Sequence, residues 1–110
     1  MKENKHIYTD HNGIAVICDE PGHAYHVSDE NNVLISVVSF QDGPIKEAGI
    51  NGMQNEHLIA ILVDRLEFLD SKFPCDSNKA AITNLKNALE HLEARTKNRI
   101  ARNVEGTNTL

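Results

Sequence analysis

Apolar residues change their spacing along the chain near residue 50. Before that point they form three short runs: Gly13 to Cys18, Ala24 to Val27, and Val33 to Phe40. These runs are rich in β-branched residues or alternate with polar ones, and turn-forming residues separate them, which is typical of strands. The pattern predicts a small antiparallel sheet of about three strands. A sheet of that size needs a second layer to bury its apolar face.

Helical spacing begins after a glycine-rich connector, Gln41 to Gly52. Asn51 and Gln54 have the spacing of an N-cap and its reciprocal partner, so a first helix is expected over residues 53–71, ending before Pro74. Its apolar positions recur in steps of three and four: Leu58, Ile59, Ile61, Leu62, Leu66 and Leu69.

A second, longer helix is predicted over residues 77–103, capped by Asp76 or Ser77, with leucines in the same periodicity. The five-residue turn at 72–76 makes the two helices antiparallel neighbours, so the first helix should start beside about residue 95. The predicted fold class is α+β, a small N-terminal antiparallel sheet followed by a long α-helical hairpin. We expect one domain over residues 1–110, with a β-rich part at 1–50 and the hairpin at 51–110.

Composition and charge narrow the functional classes. The 110 residues carry 11 Lys and Arg against 16 Asp and Glu, a net charge of −5. This sign disfavours a nucleic-acid polymer as partner, because duplex binding needs many phosphate contacts. No apolar run approaches the roughly 20 residues of a membrane span, so no membrane association is expected. The two cysteines and the absence of a visible signal peptide predict a reducing cytosol, with Cys75 as a buried structural thiol.

The end of the second helix is basic. Arg95, Arg99 and Arg102 are spaced i, i+4, i+7, so they continue the line of the leucine stripe on one face. Basic residues near a helix C-terminus also favour the helix dipole, which is a purely structural explanation. Placed on the apolar face, however, the three should meet either a partner chain or a ligand. Guanidinium groups beside the amide end of the first helix suit phosphate or pyrophosphate.

Other candidate chemistry is weaker. His23 and His26 lack further ligands at a useful spacing, so a zinc site is not expected, nor is a cofactor. No nucleophile, base and orienting group occur together, so no catalytic residue is assigned. Phe68 and Phe73 flank the interhelix turn, where each is either a core residue or a ring that stacks on a base.

Three motifs carry a family resemblance. They are QDGPIKEAGING at 41–52, FPC at 73–75 with the following Asn78, and ART-x-x-R-x-x-R-x-VEG at 94–106. Over residues 40–70 and 72–107 the chain resembles the phage Thoeris anti-defence type one sponge family, which shares its helical hairpin with the phage anti-CBASS sponge.

The resemblance implies a non-enzymatic protein of the infected host's cytoplasm that sequesters glycocyclic ADP-ribose signals, and in some members also cyclic di- or trinucleotides. It implies dimers that build hexamers through the hairpins, with pockets at subunit boundaries. The implied ligand-binding residues are Arg95, Arg99, Asn78 and Phe68 or Phe73, with Arg102 and Glu105 in the same terminal motif. Two alternatives stay open: a structural or protein-binding oligomer without a small ligand, and an enzyme that degrades the nucleotide.

Overall fold

The computed structural model describes residues 4–107, and the described chain divides into two compact units. The first unit comprises the residues up to Asp42 together with Ile50–Gly52, and the second comprises Gly43–Gly49 together with the residues from Met53 onward. The first contains the strands and the second contains the helices. The α+β class is therefore confirmed.

The first unit is a four-stranded antiparallel sheet in the order β1-β2-β3-β4. Its strands are β1 (Lys5–Thr9), β2 (Ala15–Glu20), β3 (Ala24–Ser28) and β4 (Leu34–Ser39). The three predicted strands are present, and β1 is additional. In the register of the sheet, Ala15 of β2 pairs with Thr9 of β1 on one side and with Ser28 of β3 on the other, and Ala24 of β3 pairs with Ser39 of β4.

Two of the hairpin turns are built in the same way from an aspartate. Asp10 Oδ1 accepts hydrogen bonds from the N–H groups of Asn12 and Ile14, both at 2.9 Å. Asp29 Oδ1 accepts from the N–H groups of Asn31 and Val33 at the same distances. Each turn then has a residue with positive φ, at Gly13 and Asn32 respectively, a conformation that Gly and Asn tolerate best. These local bonds fix where each strand ends.

The second unit contains a short helix α1 (Ile45–Ala48) and two long helices, α2 (Asn55–Lys72) and α3 (Asp76–Ala101). The long helices match the predicted ones to within a few residues, but both caps differ. Gln54 is the N-cap of α2, and Cys75 is that of α3. Asn51 does not cap α2, because its side-chain amide is bonded to both backbone groups of Asp42, accepting from N–H at 2.8 Å and donating to C=O at 2.7 Å.

Helices α2 and α3 pack against each other over their length. Lys79 Nζ lies 2.8 Å from Asp70 Oδ2, and Lys86 Nζ lies 3.2 Å from Glu67 Oε2, so ion pairs join the helices in antiparallel register. Val63 is the buried residue of α2. Ile61 and Leu62, expected on the packed stripe, are instead exposed, because the narrow seam of a two-helix contact covers only part of the apolar arc.

Candidate functional site

A cavity of about 290 Å³ lies where α2 begins and α3 ends. We call it the hairpin-end pocket. Its lining comes from α1, from the first turn of α2, from α3 and from the segment after α3: Ile45, Gln54, Asn55, Glu56, Leu92, Arg95, Thr96 and Glu105. The start of α2 therefore lies beside Arg95, as the length of the interhelix turn predicts.

The first turn of α2 supplies backbone donors to this pocket. The N–H of Gln54 donates to Nδ1 of His57 at 2.9 Å, and the N–H of His57 donates to the Gln54 carbonyl at 3.2 Å. The first N–H groups of a helix have no intrahelical acceptor. Within residues 4–107, those of Asn55 and Glu56 find no other acceptor. Asn55 and Glu56 both line the pocket, so the amino end of α2, with its partial positive charge, borders it.

Arg95 is the cation that faces this helix start. Its side chain is exposed and forms no ion pair or hydrogen bond with any residue from 4 to 107. A guanidinium with five donors and no intramolecular acceptor is available to a phosphate or a carboxylate. Arg95 and the amides of α2 together form a region suited to binding an anion.

Arg99 occupies a different environment, although it lies one turn further along the same helix. It is only 5% exposed. Its Nη2 donates to the carbonyls of Val104 and Thr107, each at 3.0 Å, and its Nε lies 3.3 Å from Oε2 of Glu105. Arg99 therefore holds residues 104–107, the C-terminal turn, against α3, and it does not line the hairpin-end pocket.

The C-terminal turn is fixed at further points. The N–H of Lys46 in α1 donates to the carbonyl of Gly106 at 3.2 Å, and the N–H of Gly106 donates to Oε1 of Glu105 at 3.1 Å. Gly106 has φ +80°, and a Cβ there would come within 3.1 Å of the Lys46 side chain. Glu105 is thereby held in the pocket lining. Arg102, the C-cap of α3, is exposed, and its Nε donates to Oδ1 of Asn98 at 2.8 Å.

The remaining predicted site residues lie at the opposite end of the helix pair. Phe68 and Phe73 are 57% and 73% exposed, and Lys72 Nζ lies 5.1 Å from the centroid of the Phe68 ring. Asn78 is in the first turn of α3, 17 residues before Arg95, which is about 26 Å at 1.5 Å per residue. We call residues 68–78 the turn end. Within one copy, the turn end and the hairpin-end pocket cannot contact the same nucleotide.

The prediction of a buried Cys75 is wrong, because the thiol is exposed. Cys75 acts as a cap: its Sγ accepts from the N–H of Asn78 at 3.4 Å. Its own N–H donates to Asp70 Oδ1 at 3.0 Å. The hydrogen bond from Lys79, followed by that from the Cys75 backbone, lowers the pKa of the Asp70 carboxyl.

The sheet has a cavity of its own, about 480 Å³, lined by Asp19, His26, Ser28, Asn32, Leu34 and Val37. His26 Nδ1 lies 2.7 Å from Asp19 Oδ2, and His23 Nε2 lies 3.6 Å from Asp42 Oδ1. Between residues 4 and 107, no three side chains of the metal-ligating types come together. Over the same span, none of the helices combines the length and the apolar content needed to cross a bilayer.

The helix pair and its pocket place the chain among helical-hairpin proteins. The family model described as the Acb2/Tad1 hairpin domain matches residues 35–97, more than half of the chain. The chain therefore belongs to the Acb2/Tad1 hairpin family, which confirms the resemblance found in its motifs.

One similar protein is named Thoeris anti-defense 1 and comes from Bacillus phage SBSphiJ7. It is 49% identical over 74 residues, an alignment that covers 66% of this chain and 52% of the relative. The chain thus aligns with about half the length of that protein.

Proposed function

We propose that this protein inhibits Thoeris anti-phage defence by binding and sequestering a cyclic ADP-ribose-type signal, glycocyclic ADP-ribose, in the cytoplasm of an infected bacterium. The name of the phage relative supports the anti-defence role. The hairpin-end pocket supports the mode of action, since a protein that inhibits by capture needs a binding site and no reaction. Cyclic di- or trinucleotides are included in the proposal as further ligands.

The observation that carries the proposal is the position of Arg95. Its guanidinium has no acceptor within residues 4–107, and it shares the pocket with the unpaired amides of Asn55 and Glu56. Bidentate guanidinium donors and a helix N-terminus both bind phosphate oxygens well. We assign the pyrophosphate of the ligand to this region. Arg99 then contributes by fixing the C-terminal turn that completes the pocket.

We further propose that the functional form is a homo-oligomer, with dimers assembling into a hexamer. Asn78 lies about 26 Å from Arg95 along α3, so the turn end can contribute to a nucleotide at the hairpin-end pocket only if it comes from a second copy. The exposed turn end of another copy would supply Phe68 or Phe73 for stacking on the base and Asn78 for hydrogen bonding. The exposed rings of one copy and the pocket of another would then form one binding site at each subunit boundary.

A second candidate function is a structural or protein-binding oligomer that has no small ligand. The observation that favours it is a cavity on the outer side of α2, lined by Ala60, Ile61, Asp64, Arg65 and Phe68. Ile61 and Phe68 are both more than half exposed there, between one acidic and one basic residue. Such a mixed surface also suits contact with another protein chain.

Retention of the signal molecule separates these functions. The purified protein is incubated with glycocyclic ADP-ribose, freed of unbound ligand by filtration and heat-denatured, and the released material is analysed by mass spectrometry. The sequestration proposal predicts stoichiometric release of intact nucleotide. A chemically altered product would indicate an enzyme, and absence of retention would support the structural oligomer.

A further inference from the structure

We propose that Glu56 determines ligand specificity by accepting a hydrogen bond from a ribose hydroxyl group. The inference rests on the proposed function, because it assigns a role within the same pocket. Glu56 is the second residue of α2 and lines the hairpin-end pocket together with Arg95. With this role for Glu56, the pocket recognises the ribose of the ligand as well as its phosphates.

The charges of the pocket region favour a ligand that carries hydroxyl groups as well as phosphate. Two guanidinium groups, of Arg95 and Arg99, are balanced by two carboxylates, of Glu56 and Glu105. The Arg99 and Glu105 charges are paired with each other at 3.3 Å. Arg95 and Glu56 remain as one cation and one anion facing the same space. A site for bare phosphate would be disfavoured by that carboxylate, whereas a ribosyl phosphate can satisfy both groups.

The carboxylate of Glu56 has unused acceptor capacity. Its Oε2 accepts one long hydrogen bond, 3.5 Å, from the Thr96 hydroxyl across the pocket, and within residues 4–107 its Oε1 accepts none. An ionised carboxylate can accept up to about four hydrogen bonds. In dinucleotide-binding α/β folds a carboxylate accepts a hydrogen bond from a ribose hydroxyl while the pyrophosphate binds the amides at a helix N-terminus. In the hairpin-end pocket the same two elements are adjacent.

Glu56 also has a simpler effect, since an acidic residue in the first turn stabilises a helix through its dipole. The two roles respond differently to Glu56→Asp. Aspartate keeps the negative charge in the first turn and therefore the dipole effect, but its carboxylate is shorter by one methylene. A hydrogen bond from the ligand requires the full length of the glutamate side chain, so Glu56→Asp removes the binding role and keeps the dipole effect.

Isothermal titration calorimetry with two probes, glycocyclic ADP-ribose and inorganic pyrophosphate, tests the inference. Glu56→Gln should weaken binding of the nucleotide at least tenfold and leave pyrophosphate binding unchanged or tighter. Glu56→Asp should also weaken nucleotide binding at least tenfold. The matched control Glu90→Gln removes an exposed carboxylate on α3, outside the pocket lining, and should bind like the wild type.

Equal weakening of both probes by Glu56→Gln would overturn the inference, as would nucleotide binding by Glu56→Asp at the wild-type level. If pyrophosphate binds too weakly to measure, the Glu56→Asp result alone decides. A wild-type protein that binds neither probe would refute the proposed function itself. Circular dichroism of each variant verifies folding, and if Glu56→Gln does not fold, Glu56→Asp again decides.

Discussion

Replacing Arg99 by alanine should damage the fold of the helical unit, whereas replacing Arg95 should not. The two arginines are one helical turn apart in the same motif, and the sequence alone gives them the same role. The structure separates them: Arg99 is 5% exposed and bonded to the C-terminal turn, while Arg95 is exposed and lacks a partner among residues 4–107. Arg99→Ala therefore tests whether this C-terminal packing exists in solution.

The expected magnitude follows from the contacts that Arg99→Ala removes. Two charge-assisted hydrogen bonds to carbonyls, at 3.0 Å each, are lost, and Oε2 of Glu105 loses its cation. Removing one partner of a buried, hydrogen-bonded ion pair costs about 3–5 kcal/mol. Oε2 of Glu105 is itself buried, but the side chain is 39% exposed overall and can turn toward water once the cation is gone, so the lower end, about 3 kcal/mol, is expected. In a unit of this size that lowers the midpoint of thermal unfolding by at least about 12 °C.

Thermal unfolding followed by circular dichroism at 222 nm measures this effect. Lys97→Ala is a matched control, since it removes an exposed cation from the same stretch of α3, and it should change the free energy of unfolding by less than about 0.5 kcal/mol. Arg95→Ala should behave like this control. If Arg99→Ala unfolds at the wild-type temperature, the C-terminal turn is not held as described, and the division of roles between the two arginines is wrong.

Further predictions concern the ligand, the sheet, the turn end and the assembly. Arg95→Ala should abolish nucleotide retention in the filtration assay and leave the oligomer size by light scattering unchanged; a collapsed oligomer would instead assign Arg95 to a subunit interface. Gly52→Ala should cost about 1–3 kcal/mol in denaturant titration, because its Cβ would lie 2.4 Å from the carbonyl carbon of Phe40; wild-type stability would contradict this contact. The pKa of Asp70 is lowered in the folded protein, so its stabilisation is complete above the unfolded value of about 3.9 and is lost as the pH falls through the folded value. The difference in unfolding temperature between wild type and Asp70→Asn should therefore be constant from neutral pH to about pH 5 and shrink below about pH 4; a difference that grows on acidification would contradict it. Phe68→Arg should reduce the oligomer size with helix content unchanged, and an unaltered mass would exclude this ring from the assembly.

The helices were predictable because their signals are local. Leucines at three- and four-residue steps between Pro74 and Gly106 identify α3 to within two residues at each end. Strand β1 has no such signal, since Lys5–Thr9 is short and mostly polar. The Asn12-Gly13 pair, together with Asp10, could have indicated a hairpin with a strand on each side. The same aspartate-based turn recurs at Asp29. This repetition is a stronger indication of a hairpin than the Asn12-Gly13 pair alone.

The candidate site was predictable in position but not in the roles of its residues. Helical spacing places Arg95 and Arg99 on one face, and the turn length places the start of α2 beside Arg95. Spacing cannot show that residues 104–107 fold back onto Arg99, because that contact depends on Gly106 and Lys46. Nor could it show Glu56 in the pocket, since an acid in a first helical turn is expected for the dipole alone. The proposed roles of Asn78 and Phe68 could not be derived from one chain either, because they require a second copy.

We propose above all that the hairpin-end pocket binds the diphosphate of a cyclic ADP-ribose-type nucleotide. A crystal structure of the protein soaked or co-crystallised with glycocyclic ADP-ribose tests it most directly. We expect phosphate oxygens within hydrogen-bonding distance of the Arg95 guanidinium and of the Asn55 and Glu56 amides. A nucleotide bound only at the sheet, or Arg95 paired with carboxylates of a neighbouring copy beside an empty pocket, would contradict the account.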